Sequence, residues 1–214
     1  MGKGDVFSKL TSRDLQAIER RGQLLESAKE LFALHGYHAT TTRGITKHIG
    51  MADGLIYHYF PEGKKQILDT IMQEFLEERY LQIEEDIAAL DKNAPIREIL
   101  IALGKILFTY IAKDKNVLMI LLREKNILPE TYMKSFSRHM KILTGQTMKM
   151  LEQRANRNEI RTMDFWMMGN QFWSAIYSYL VQDILFEQYK MYAVDWDTYL
   201  KQVVDYTLLT WKLT

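Results

Sequence analysis

Residues 49–64 read IGMADGLIYHYFPEGK and set Tyr57, His58, Tyr59 and Phe60 in a row, after a Gly-containing opening and before a proline and two lysines. A hydrophobic core needs only the apolar members of such a run. Phenol hydroxyls, an imidazole and an ammonium are groups that bond an anion or the polar edge of a base. Just upstream stand Thr41, Thr42, Arg43 and Lys47, two hydroxyls and two cations of the kind that hold phosphates, especially where a helix begins and its free N–H groups favour negative charge. The chemistry on offer is recognition and not bond making. No nucleophile–base–orienter set, phosphate loop or metal cluster of recognisable spacing accompanies these residues, so neither an enzyme nor a bound cofactor is expected. His35 and His38 lie three apart, but they straddle Gly36 and no carboxylate joins them, so no metal site is expected.

The elements that must position these groups read as helices throughout. Only three prolines occur, Pro61, Pro95 and Pro129, each where a helical pattern stops or starts, and glycine is sparse at eleven. Long stretches of 3.6-residue apolar period with few breakers define an all-α chain. A first helix over about 12–34 carries Leu24, Leu25, Ala28, Leu31 and Phe32 on one face and meets a stop at Gly36. Thr41 or Thr42 then caps a short helix that Gly50 ends, and a second short helix spans about 53–59. Two short helices joined by a Gly turn have the proportions of a helix-turn-helix, whose second helix enters the DNA major groove. Gly54 permits close approach to the groove, Lys64 can reach the backbone, and Ile56 and Phe60 are expected in the core. Leu55 either touches a thymine methyl or packs. Neighbours on a helix point about 100° apart, so Tyr57, His58 and Tyr59 cannot all face DNA.

The stretch LLESAKELFALHGYHATTTRGITKHIGMADGLIYHYFPEGKKQIL resembles the DNA-binding domain of the tetracycline-repressor (TetR) family of transcription regulators. The resemblance rests on Ala28, Leu31, Phe32, Gly36, Tyr37, Thr40, Thr41, Thr42, Ile45, Gly50, Gly54, Ile56, Tyr57, Tyr59, Phe60 and Lys64. It implies a regulator whose DNA contacts come from Thr41, Thr42, Arg43, Lys47, Asp53, Gly54, Leu55, Tyr57, His58, Tyr59 and Lys64. Two departures stand out. The family usually places Ser or Thr where Ala52 stands, so either Asp53 caps the recognition helix or that helix starts without a firm cap. An aspartate near phosphate is repelled unless it reads a cytosine amino group. The pair Glu62-Gly63 also makes the approach to Lys64 one residue longer than usual. The expected division is an N-terminal tail over 1–11, a helix-turn-helix DNA-binding domain over 12–63, and a ligand-binding and dimerisation domain over 64–214.

Beyond Pro61 helices are expected over about 64–90, 95–113, 115–125, 129–156, 162–189 and 195–212. The last two are apolar over most of their circumference, FWMMGNQFWSAIYSYLVQDILFEQ above all. A helix of that kind must be covered on every side. Pairing with symmetry mates in a four-helix bundle would cover it and would set two recognition helices about 34–36 Å apart. The resemblance implies the same homodimer. Between 105 and 150 methionines and aromatic rings recur, a composition that lines apolar ligand pockets as readily as it fills a core. Phe108, Phe136, Met140, Trp173 and Tyr177 are the expected ligand contacts. The run Glu84-Glu85-Asp86 reads as a solvated face.

Net charge is only +1, yet residues 1–65 hold ten Lys/Arg against seven Asp/Glu and four of the five histidines. That mild basic bias lies where DNA would bind. No cysteine occurs, the opening MGKGDVFSKLTSRD has no apolar signal core, and no stretch reaches about twenty apolar residues, so the cytoplasm is the expected compartment. The expected function is a DNA-binding regulator, a repressor released by a small, largely apolar inducer. The alternative is an all-α carrier of hydrophobic ligands or an interaction module that never touches DNA.

Overall fold

The computed structural model describes residues 11–186 and 193–213, with the side chains of 113 and 185 left aside. All but the last residue of the expected tail, and the end of the 162–189 segment, lie outside the described residues. Every regular element among them is helical. The chain falls into two compact units, Met1–Glu74 with Asn116–Ile127, and Phe75–Lys115 with Leu128–Thr214.

In the first unit α1 (Ser12–His35) starts at a capping box. Thr11 Oγ1 accepts from the Asp14 N–H and the Asp14 carboxylate accepts from the Thr11 N–H at 2.9 Å. It stops at Gly36, whose φ of 84° suits glycine and whose N–H donates to the Phe32 carbonyl. Helix α2 (Thr42–His48) is capped by Thr41, whose Oγ1 accepts from the Gly44 N–H at 2.9 Å. Its far end closes in a Schellman turn. With Gly50 at φ 68°, Met51 N–H donates to Thr46 O at 2.8 Å and Gly50 N–H to Lys47 O at 3.2 Å. Helix α3 (Leu55–Tyr59) is a little over one turn, and α4 (Lys64–Gln73) packs across α1. Leu24, Ala28, Phe32, Ile45, Ile56, Phe60, Ile67 and Ile71 are fully buried, so Ile56 and Phe60 hold the core positions their spacing requires.

The division differs from a boundary at 63/64. Helix α4 buries Ile67, Leu68, Ile71 and Met72, which groups it with α1 in the first unit. The helix then widens into a π segment at Glu74–Arg79 and resumes as α5 (Tyr80–Ala88), so the chain changes units inside the wide turn. Residues 116–127, most of them in α7 (Lys115–Arg123), also belong to the first unit, with Val117, Leu118, Ile120 and Leu121 buried. The rest of the second unit is α6 (Ile96–Lys113), α8 (Glu130–Asn156), α9 (Phe165–Leu185) and α10 (Trp196–Trp211).

Pro95 and Pro129 stand one residue before their helices, where a fixed φ and a missing N–H disturb nothing. Asp164 and Asp195 cap α9 and α10 through the N–H groups of Met167 and Thr198. Helix α9 packs on α8, and α10 on α6 and α9. Leu100, Leu151, Phe172, Trp173, Ile176, Leu200 and Val204 form the centre. At Gly104 the absence of a side chain sets the α6–α10 approach, because a Cβ there would lie 2.4 Å from Leu200 Cδ1.

Candidate nucleic-acid interface and ligand cavity

Thr41 and Thr42 open α2, and Arg43 and Lys47 lie along it. Thr41, Arg43 and Lys47 are exposed and Thr42 is half-buried. From α3, Tyr57 and His58 face solvent while Tyr59 is half-buried and meets the His58 ring edge-on at 4.9 Å. The neighbours do diverge, with Tyr57 and His58 outward. Tyr57 Oη comes within 3.4 Å of Thr42 Oγ1, so the two helices share a hydroxyl edge. Gly63 explains the extra residue before Lys64. Its φ is 64°, and a Cβ there would press on Tyr57 Cε1 at 3.2 Å. Glycine leaves the Tyr57 ring room to lie beside the turn.

Asp53 does not cap α3. The helix starts at Leu55 behind Gly54 with no side-chain cap. Asp53 instead accepts from Thr46 Oγ1 at 3.1 Å and pairs with Arg43 at 3.2 Å, which ties the turn to α2. That ion pair is open to water and therefore weak, leaving the Arg43 guanidinium accessible. Lys64 is placed differently from the sequence expectation too. Its ammonium donates to the carbonyls of Tyr37 at 2.8 Å, Thr40 at 2.9 Å and His38 at 3.4 Å, over the Tyr37 ring at 4.4 Å. These carbonyls take up its three donors, so Lys64 braces the α1–α2 turn where a phosphate contact was expected. Ala52 and Gly54 are exposed and Leu55 half-buried.

The second unit holds a cavity of about 290 Å³ between α5, the 90–92 turn, α6 and α8. Ile87, Leu90, Ile99, Leu103, Leu143 and Met150 supply its apolar wall, and Lys92, Lys149, Arg154 and Arg157 its cations. None of Phe108, Phe136, Met140, Trp173 and Tyr177 lines it. Phe108 stacks flat on Trp196 at 4.4 Å and meets Tyr179 at 6.4 Å. Phe136 faces Tyr80 edge-on at 6.3 Å, Tyr177 stacks on Trp173, and Met140 is half-buried. Phe108 therefore sits in a different aromatic cluster from Trp173 and Tyr177. Burial pushes the Tyr80 and Tyr177 phenols up, so both stay neutral, and the buried Tyr177 Oη has no hydrogen-bond partner.

Sequence reasoning missed the cavity residues. A signal existed, since Leu143, Thr147, Met150, Arg154 and Arg157 recur at three- and four-residue steps along α8. Such a stripe marks a face and says nothing about a void beside it. Among the described residues no group of three or more His, Cys, Asp or Glu is placed to hold a metal, and no helix is long and apolar enough to cross a membrane.

A short α2, a Schellman turn and an α3 packed against α2 define a helix-turn-helix protein, and the chain holds a second helical unit. Residues 24–71 match the family model for bacterial regulatory proteins of the tetR family. The match lies in the N-terminal segment that holds α2, α3 and most of α4. It is 37% identical over 78 residues to the HTH-type transcriptional repressor KstR2 of Rhodococcus jostii, covering 36% of this chain and 38% of that protein. To the fatty acid metabolism regulator protein of Bacillus subtilis it is 32% identical over 108 residues, 49% of this chain and 54% of the other. The matches thus span roughly a third to a half of these relatives' lengths. The fold extends further. The KstR2 structure of Mycobacterium tuberculosis superposes with a TM-score of 0.69 over 91% of this chain and 96% of that one at 20% identity. FadR of Bacillus subtilis in complex with stearoyl-CoA gives 0.61 over 88% and 97% at 22% identity. At these identities the likeness is one of fold.

Proposed function

We propose that the chain is a ligand-responsive DNA-binding transcriptional regulator, a repressor released from its operator by a small, largely apolar inducer. The observation that carries this reading is the outward set on the helix-turn-helix: Thr41, Arg43, Lys47, Tyr57 and His58 are all exposed, although Ile56 beside them is fully buried. Thr41 caps α2 and Arg43 holds a solvent-exposed ion pair, but the outward Lys47, Tyr57 and His58 add little to the core, whereas a major groove and its phosphates use all five. Replacing Tyr57 and His58 together by alanine is expected to lower affinity for the selected operator roughly a hundredfold, with circular dichroism unchanged. Gel shifts on genomic fragments at two salt concentrations measure it. Weak binding that ignores both the sequence and the double substitution would sink the assignment.

A homodimer through α9 and α10 supplies the second recognition helix. On α10, Tyr206 and Leu209 are 71% and 65% exposed, and Leu213, just past the helix end, is 53% exposed, apolar surface that water alone covers poorly. Trp166 and Met167 add exposed apolar surface at the start of α9. The substitution Leu209→Arg is expected to leave a folded monomer in sedimentation experiments, with operator binding lost. An unchanged dimer places the interface elsewhere.

Release follows if the inducer prefers the conformation that binds DNA less well, since it then lowers operator affinity by its ratio of affinities for the two states. The chain links the units at the π segment of 74–79 and at both ends of 116–127. Within the first unit, Arg123 donates to the carbonyls of Ala33 and Leu34 at 3.1 and 3.0 Å, and the Glu124 carboxylate accepts from the Tyr37 N–H at 2.9 Å. A shift of 116–127 is thereby felt where α1 ends and the turn to α2 begins. The cavity on α5, α6 and α8 is the proposed inducer site. The acyl ligand of the Bacillus subtilis neighbour, stearoyl-CoA, is consistent with a largely apolar one here.

A further inference from the structure

The cavity wall is apolar, but the ring of charge around it has one sign. Among its fourteen lining residues are four cations and not one carboxylate. Arg154 is accounted for. It is buried, pairs with Glu159, and donates to the carbonyls of Lys92 and Ala94, both at 2.7 Å. Those bonds hold the 92–94 turn and with it the base of Lys92 at the mouth. Arg157 is exposed, with Glu159 at the long distance of 4.0 Å and Asn93 Oδ1 at 3.3 Å. Lys92 and Lys149 are exposed, and no carboxylate among the described residues pairs with either. Gln146 and Gln153, also exposed, lie on the same face of α8.

Three cations around an apolar opening focus a positive potential on whatever enters it. A volume near 290 Å³ stands at the lower end of ligand pockets, which run about 300–1,000 Å³. It suits a short apolar body, or the end of a longer one, with a polar head left at the rim. We propose that this cavity takes an amphipathic anion. Its hydrocarbon lies against Ile87, Leu90, Ile99, Leu103, Leu143 and Met150, and its carboxylate or phosphate head is held by Lys92, Lys149 and Arg157. The inference rests on the cavity being the effector site and narrows the effector from an apolar molecule to an anionic one. Lysine stems also lie over apolar surfaces merely to cover them, and the test separates that role from binding.

The full chain is titrated calorimetrically with sodium dodecanoate, dodecan-1-ol, dodecanoyl-coenzyme A and inorganic phosphate. At low salt dodecanoate or the coenzyme A thioester is expected to bind about tenfold or more tightly than the alcohol. In the Lys92→Gln, Lys149→Gln double variant, whose replaced groups hold no ion pair in the fold, that preference falls to within about twofold while the alcohol binds as before. Arg157→Gln, checked for folding by circular dichroism, shifts the preference the same way. Binding of the thioester alone assigns the head to phosphate, and binding of dodecanoate assigns it to carboxylate; both support the class. Equal affinity for acid and alcohol, a preference indifferent to the substitutions, phosphate binding as tightly as the amphiphiles, or no binding of any amphiphile overturns it. Operator binding by the unliganded protein is read separately. Its absence removes the regulator while the titration still decides what the cavity holds.

Discussion

Exchanging Trp173 for alanine is expected to lower the unfolding free energy by about 3–5 kcal/mol, the range for deleting a buried large aromatic side chain. Trp173 is 2% exposed in α9. Its Nε1–H donates to Thr147 Oγ1 of α8 at 2.9 Å, and its ring meets Phe172 edge-on at 5.1 Å and Tyr177 in a stack at 5.9 Å. Thr147 keeps its own bond to the Leu143 carbonyl at 3.0 Å, so the loss comes chiefly from the void and the lost apolar burial. Set against about 5–15 kcal/mol for a whole domain, this brings the second unit close to unfolding at 37 °C. Urea unfolding at one fixed protein concentration measures it, which holds any contribution from association constant. Trp173→Phe keeps most of the apolar burial and is expected to cost less than half as much. A loss below about 1 kcal/mol for the alanine variant would mean that the α8–α9 contact collapses readily onto the gap.

Arg154→Met is expected to cost about 3 kcal/mol for a different reason, because it strands partners. A methionine has nearly the right bulk for this buried position but no donors. The carbonyls of Lys92 and Ala94 lose the Nη2 bonds, and Glu159 loses its closest cation. Glu159 is one-third exposed, so water recovers part of that loss and the figure stays at the low end for a broken buried pair. A second readout identifies the cause. Hydrogen exchange is expected to rise in the 92–98 amides more than along α10, since Arg154 is what holds that turn to α8. Uniform acceleration across the unit would instead indicate general loosening.

The helices were legible because their signals are local. Thr11, Thr41, Asp164 and Asp195 cap where short polar residues precede apolar periods, Gly36 and Gly50 stop where φ is positive, and the prolines stand just outside. The outward face of α3 was legible for a related reason. A five-residue helix with Ile56 and Phe60 inward must turn Tyr57 and His58 outward. What the Asp53 and Lys64 side chains bond to within the fold was not legible, because the partners are set by how the segments fold together. Thr46 and Arg43 draw the first, and three carbonyls of the 37–40 turn draw the second.

From the sequence alone came an all-α chain, the placement of its helices, a helix-turn-helix near its start and the residues that face outward from it. All of these follow from spacing along a single helix and from what each residue type permits at a helix end. Only the tertiary structure decided that α4 and 116–127 belong with the N-terminal unit, that the helix crossing between units widens into a π segment, and that the cavity is lined by Leu143, Met150 and Arg154 and not by Phe108 or Trp173. Periodicity tells which face of a helix is buried. Which helix covers that face, and where the fit leaves a void, depends on side chains tens of residues apart meeting in space.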